Sequence, residues 1–185
     1  MMTRSLAWPD LAGEAFAAGL AAGHPHDVTM AAMAALDAPP SHVIAIGKAG
    51  AAMAQAVRDA GCNAPGIVVT HDEGFAEIDG MRCFASAHPV PDARGMDAAA
   101  ALAEMAAALR AQDHLLLLIS GGGSALVPAP ADGLTLADKQ ALNAALLASG
   151  MDIHAMNAVR RLFSRLKGGR LARLAAPARV TQFLL

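Results

Sequence analysis

Residues 115–119 read Leu-Leu-Leu-Leu-Ile and run directly into Ser120-Gly121-Gly122-Gly123-Ser124. No other stretch limits the fold as tightly. A short aliphatic run without alternation, stopped by glycine, predicts a strand covered on both faces. The same signature recurs at residues 42–47, His-Val-Ile-Ala-Ile-Gly, and at 66–70, Gly-Ile-Val-Val-Thr, which stops at His71-Asp72-Glu73-Gly74. Residues 81–86 form another candidate before His88-Pro89-Val90-Pro91-Asp92, and the run at 180–185 reads as a further buried strand.

Helical patterns fill the intervals. Two alanine-rich helices are predicted over residues 11–22 and 28–36, and another over 48–60, which puts Lys48 in its first turn. Asp92 is a candidate N-cap for a helix starting near Gly95, with Leu102, Met105, Ala106 and Leu109 on one face. Thr135 caps a helix that Gly150 ends, and a last helix is predicted over 153–166. Strands alternating with helices point to an α/β fold, a Rossmann-like and mostly parallel sheet flanked by helices. Such sheets bind ligands beyond the carboxyl ends of their strands. Gly47-Lys48, Thr70-His71-Asp72, His88 and residues 120–124 all fall there.

Composition excludes several functions. At 185 residues the chain has room for one well-cored domain. A formal charge of −2 leaves no footprint for nucleic acid or an anionic membrane, and 3% aromatic residues offer few stacking platforms. Cys62 and Cys83 lack metal spacing and read as two reduced thiols. His24, His26, His71, His114 and His154 show no metal spacing either, so no metal-binding residue is assigned. Trp8, Pro9, Asp10 and Glu14 break any signal peptide, and no apolar run spans a bilayer; a cytoplasmic location is expected.

The glycine-rich segment admits two readings. Successive amides between Ser120 and Ser124 can form an anion-binding nest, whereas a sharp strand-to-helix turn would also use glycine. The flanking serines favour phosphate or carboxylate binding. Leu126 stands where a G-x-S-x-G elbow needs its last glycine, which disfavours a serine hydrolase. Lys48 follows Gly47, where a lysine can meet an anionic substrate or a transferring phosphoryl group. It belongs to no P-loop, since His42 replaces the first glycine and Ala49 the Ser/Thr. Asn157, Arg160, Arg161, Ser164, Lys167 and Arg170 make the most basic stretch, either a solvated helix face or a polyanion site at Lys167-Gly168-Gly169-Arg170. His88 reads first as a satisfied structural histidine and second as a substrate contact.

Six segments in order resemble the type II glycerate 2-kinases, also labelled hydroxypyruvate reductases. They are residues 45–49, 88–92, 119–126, 133–136, 146–150, and Asn157-Ala-Val-Arg160 with Ser164 and 167–172. The resemblance implies ATP- and Mg²⁺-dependent phosphorylation of D-glycerate at its 2-hydroxyl. It implies a catalytic role for Lys48, and a substrate- or phosphate-binding role for Gly47, Ser120, Gly121, Gly122, Gly123, Ser124, Asn157, Arg160 and Lys167. A homodimer is compatible with it. Two departures stand out: Ala155 where the family tends to carry an acid, and Leu162 where it carries a histidine. The resemblance also implies that residues 1–185 are a partial N-terminal α/β domain, without the family's C-terminal domain, and are inactive alone. Two alternatives remain beside the kinase. One is an NAD(P)H-dependent hydroxypyruvate reductase, for which Asp72 sits where a ribose partner would; the other is a non-catalytic remnant or binding module.

Overall fold

A computed structural model describes residues 8–185, so the reading of the extreme N-terminus lies partly outside the described residues. Five strands, β1 (His42–Ile46), β2 (Gly66–His71), β3 (Met81–Ser86), β4 (His114–Ile119) and β5 (Arg179–Leu184), form one sheet. Their order is β3-β2-β1-β4-β5 and every pairing is parallel. The predicted Rossmann-like α/β architecture is therefore present, with strand order reversing between β1 and β4.

Consecutive residues of each central strand face opposite sides, which explains the unbroken aliphatic runs. Ile44, Ile46, Ile67, Val69, Leu115 and Leu117 pack on α4 (Ala93–Ala108) through Ala98, Ala99, Leu102 and Ala106. Val43, Ala45, Val68, Leu116 and Leu118 pack on α3 (Gly50–Asp59) through Met53, Ala54 and Val57. Alanine dominates both helices, so they settle close to the sheet. On the outside of α3 lies α2 (Pro25–Ala34), while α1 (Trp8–Ala22) buries no residue among those described. Among the described residues no helix is long and apolar enough to cross a membrane.

Local capping chemistry sets the remaining helices. Asp92 accepts the Gly95 amide at 3.3 Å and starts α4. A short helix, α5 (Gly123–Leu126), follows the glycine-rich loop. Thr135 and Asp138 exchange hydrogen bonds of 3.1 and 2.8 Å in a capping box that opens α6 (Leu136–Ala148). Asp152 caps α7 (Ile153–Leu162), and α8 (Arg170–Leu174) precedes β5.

Three expectations need correction. The helix at 48–60 begins only at Gly50, so Lys48 occupies the connecting turn rather than the first helical turn. The helix at 153–166 stops at Leu162, because Ser164 turns back to bridge Pro130. The last strand is an edge strand, largely half-buried or exposed rather than buried, since β4 covers only one of its sides.

The ends of β1 and β4 meet backbone to backbone. Gly47 has φ +130°, and a β-carbon there would lie 2.6 Å from the Ser120 carbonyl oxygen and against its hydroxyl. Strain and overlap together should make Gly47→Ala cost roughly 2–5 kcal/mol. Gly121 has nothing within 4 Å of its would-be β-carbon, so Gly121→Ala should change stability by less than about 1 kcal/mol. Urea denaturation of the two variants checks the contrast.

Candidate functional site

The crossing of β1 and β4 builds the site. Ser120 donates its amide to Ile46 at 2.9 Å, Lys48 donates its amide to Gly121 at 2.8 Å, and Ala49 donates to the Ser120 hydroxyl at 3.0 Å. Thr70, fully buried at the end of β2, donates its hydroxyl to the Lys48 carbonyl at 3.3 Å. These bonds engage the carbonyls and leave the amides of Gly121, Gly122, Gly123 and Ser124 without an acceptor among the described residues. Four unengaged amides in one turn suit a bound anion.

Gly122 holds the left-handed conformation at φ +89°, and its would-be β-carbon lies 3.1 Å from Lys48 Cγ and 3.2 Å from His88 Cδ2. Lys48 and His88 therefore flank the open side of the loop. Lys48 is exposed, and its ammonium has no hydrogen-bond or carboxylate partner among the described residues. The structural reading of His88 does not hold. Its ring is exposed and unbonded among the described residues, and lost hydration, followed by the Lys48 charge, pushes its pKa below the ordinary value.

On the other flank, Lys167 donates to the Ser124 hydroxyl at 2.7 Å and to its carbonyl at 3.2 Å. Ser164, buried, accepts the Lys167 amide at 3.3 Å and sets that turn. A cleft of about 400 Å³ opens there between Ser124, His154, Asn157, Arg160, Arg161 and Lys167. Arg160 donates to the Asn157 side chain at 3.4 Å, while its buried Nε meets no partner. Lys48 does not line this cleft, so the predicted binding residues divide between two flanks of one loop. Ala155 and Leu162, the two departures, do not line it either.

Arg170, expected to face a polyanion together with Lys167, is engaged elsewhere. Its guanidinium donates to the carbonyls of Arg161, Ser164 and Lys167, so it fixes the loop instead. Lys139 on α6 escaped the sequence reading. Its residue is only 4% exposed, and its side chain has no hydrogen-bond or ion-pair partner among the described residues. Asp138 beside it belongs to the helix cap. The buried i, i+7 relation of Lys139 to Leu146 was the available signal.

Asp72 is not a free acceptor for a ribose: Arg94 donates to both its oxygens, at 2.6 and 3.1 Å, and also to Asp92 at 2.7 Å. No grouping of three or more His, Cys, Asp or Glu side chains that could hold a metal ion occurs among the described residues. Both cysteines are free thiols.

Burial, reinforced by the charges of Lys139 and Arg160, pushes the Lys167 ammonium down from 10.5 to about 7. Between those values the unfolded chain holds a proton that the folded chain lacks. Stability should therefore rise with pH across this window, and the penalty should be complete below about pH 7. Lys167→Met should flatten the rise between pH 7 and 10, as read by chemical denaturation at successive pH values.

The family DUF4147, described as a domain of unknown function, matches residues 11–185. A relative from Agrobacterium vitis that carries a hydroxypyruvate reductase name is 46% identical over 145 residues, covering 77% of this chain and 38% of that protein. The D-glycerate 2-kinase of Thermotoga maritima is 38% identical over 148 residues, covering 77% of this chain and 35% of that protein. A crystal structure of glycerate kinase from Thermotoga maritima superposes with a TM-score of 0.82 at 34% identity, over 87% of this chain and 40% of that one. The chain thus spans well under half the length of these relatives.

Proposed function

We propose, since this chain belongs to the DUF4147 family of type II glycerate kinase N-terminal domains, that its site takes part in phosphoryl transfer from ATP to the 2-hydroxyl of D-glycerate. The observation that carries the reading is the pairing of four unengaged amides at Gly121–Ser124 with the unpaired cation of Lys48 across Gly122. A transferring phosphoryl group spreads negative charge over its equatorial oxygens, and catalysis consists mainly of positioning and charge stabilisation.

When bound, ATP supplies the phosphoryl group. The amides of the glycine-rich turn hold phosphate oxygens in a fixed direction, since Gly47 and Ser120 lock the turn from behind. Lys48 reaches the same place on a flexible stem and meets charge as it develops. His88, whose pKa is lowered by lost hydration and then by the Lys48 charge, accepts a hydrogen bond from the substrate hydroxyl. Mg²⁺, when present with ATP, would be held mainly by the nucleotide's phosphates and water, with one or two protein carboxylates at most.

The test replaces the matching segment of the Thermotoga maritima enzyme with residues 8–184 and measures ADP release with ATP, Mg²⁺ and D-glycerate. Lys48→Ala should lower kcat by about 10²–10³ with little change in melting temperature. Gly122→Val should lower both affinity and rate, because its side chain would displace Lys48 and His88. Turnover that survives Lys48→Ala would remove the lysine from the chemistry. NADH oxidation with hydroxypyruvate, in place of ADP release, would replace the kinase by a reductase.

A further inference from the structure

We propose that Arg94 and Gln140 are positioning residues, which hold the link between β3 and α4 so that His88 stays over Gly122, beside Lys48. That His88 meets the substrate hydroxyl rests on the phosphoryl-transfer reading above; its placement rests on geometry. His88 is exposed and sits on the link of residues 87–92. A β-carbon on Gly122 would lie 3.2 Å from its Cδ2 and 3.4 Å from its Nε2. With no hydrogen bond of its own among the described residues, the ring stands where its backbone puts it.

Two tethers fix that backbone. Gln140 on α6 donates from Nε2 to the carbonyl of the buried Pro91 at 2.7 Å. Arg94 donates from Nε to Asp92 at 2.7 Å, and its two terminal nitrogens fork onto both oxygens of Asp72, at 2.6 and 3.1 Å. Asp72 directly follows β2, whose Thr70 hydroxyl donates to the Lys48 carbonyl at 3.3 Å. One strand end thus carries the group that holds the Lys48 backbone and, two positions on, the carboxylate that holds Arg94. The spacing between Lys48 and His88 is set through it. The exit of the glycine-rich turn joins the same block. A β-carbon on Gly95, in the first turn of α4, would lie 2.6 Å from Pro128 Cδ and from Ser86 Oγ, and 2.7 Å from the Leu126 carbonyl.

Stability does not account for the Arg94 fork. The side chains of Arg94, Asp72 and Asp92 are 49%, 59% and 34% exposed, and pairs this solvated contribute little to folding. A bidentate guanidinium–carboxylate pair instead fixes direction, because its two parallel bonds form only in one plane. Direction is what an imidazole aimed at one hydroxyl requires, since a displacement of about 1 Å can cost about a hundredfold in rate. Lys48, His71 and Glu73 are the charged or titratable groups that act on His88. Arg94 therefore reaches it through the backbone and not through charge.

NMR of the 185-residue chain reads the placement directly. The His88 ring, assigned by its loss in His88→Gln, should show a nuclear Overhauser cross-peak from Hδ2 to the Gly122 α-protons. Arg94→Lys keeps the charge but not the fork, and should lose that cross-peak; so should Asp72→Asn. Gln140→Ala should weaken it. Melting temperature and the amide pattern of the sheet should stay as in the wild type. The titration midpoint of His88 adds a sign that separates geometry from charge. Removing the Asp72 carboxylate would lower the midpoint by direct Coulomb action, whereas release from Lys48 raises it. A rise is expected in Asp72→Asn and in Arg94→Lys alike.

In the Thermotoga maritima enzyme carrying residues 8–184, Arg94→Lys should lower kcat about tenfold with little change in KM for ATP, and should add nothing to His88→Gln. A wild-type chain without the cross-peak would overturn the placement. So would a cross-peak and midpoint left untouched when Arg94→Lys and Gln140→Ala are combined, or a midpoint that falls in Asp72→Asn while the cross-peak persists. Additive rate losses would show that Arg94 does not act through His88. If Asp72→Asn does not fold, Arg94→Lys and Gln140→Ala decide. Absence of turnover in the hybrid enzyme would tell against the kinase reading and leave the NMR result standing.

Discussion

The contact between Gly47 and Ser120 is the constraint on which the site depends. Parallel strands β1 and β4 end side by side at the point where strand order reverses, and their outgoing chains must part within one residue. Only a hydrogen atom fits between Gly47 and the Ser120 backbone. The two turns therefore interlock: Lys48 and Ala49 donate into the second turn, and Ser120 donates into β1. Because the carbonyls are engaged in this way, the amides of the second turn remain outward and unengaged. An anion-seeking surface results from closing the gap between two strands, before any charged side chain is considered.

The side-chain charges then sort into two populations. Arg94 is paired with Asp72 and Asp92, and Arg179 with Asp37 at 2.7 Å. Arg58, Arg165 and Arg170 are bonded to backbone carbonyls. These groups hold loops in place. Lys48, Lys139 and Lys167 meet no carboxylate among the described residues; Lys48 and Lys167 flank the glycine-rich turn, while Lys139 lies on α6. Surface pairs contribute little to stability, so the distinction matters less for folding than for what the free cations can attract. Their low hydration on one flank, which carries Lys167 down to about 7, makes that flank sensitive to both protons and anions.

Much of this was legible in the chain. The aliphatic runs identified β1, β2 and β4, since a sheet covered on both faces leaves few positions for polar residues, here Thr70 and His114 near the strand ends. Asp92 and Thr135 announced α4 and α6 through side chains that reach amides only three residues away. Other readings failed where the deciding partner is distant in sequence. His88 looked like a structural histidine, and only the fold sets it against Lys48 and Gly122. Arg170 looked like a partner of Lys167 for a polyanion, yet carbonyls up to nine residues upstream claim it. Lys139 drew no reading from the sequence, and the packing of α6 buries it.

The sequence by itself determined the periodicities, the caps and the glycines that follow β1 and β4, because these depend on neighbours within a turn or on the side-chain alternation of a strand. It therefore determined the class of fold and the glycine-rich loop that carries the unengaged amides. Tertiary structure decided which cations are free. That outcome follows from Coulomb and desolvation energies, which depend on distance through space and on the water each group loses. Lys48 and Lys167 come from separate segments, and no spacing along the chain encodes how they flank the turn. A lysine at residue 139 and one at 167 are alike as letters; packing leaves the first only 4% exposed on α6 and makes the second a group that titrates near neutrality.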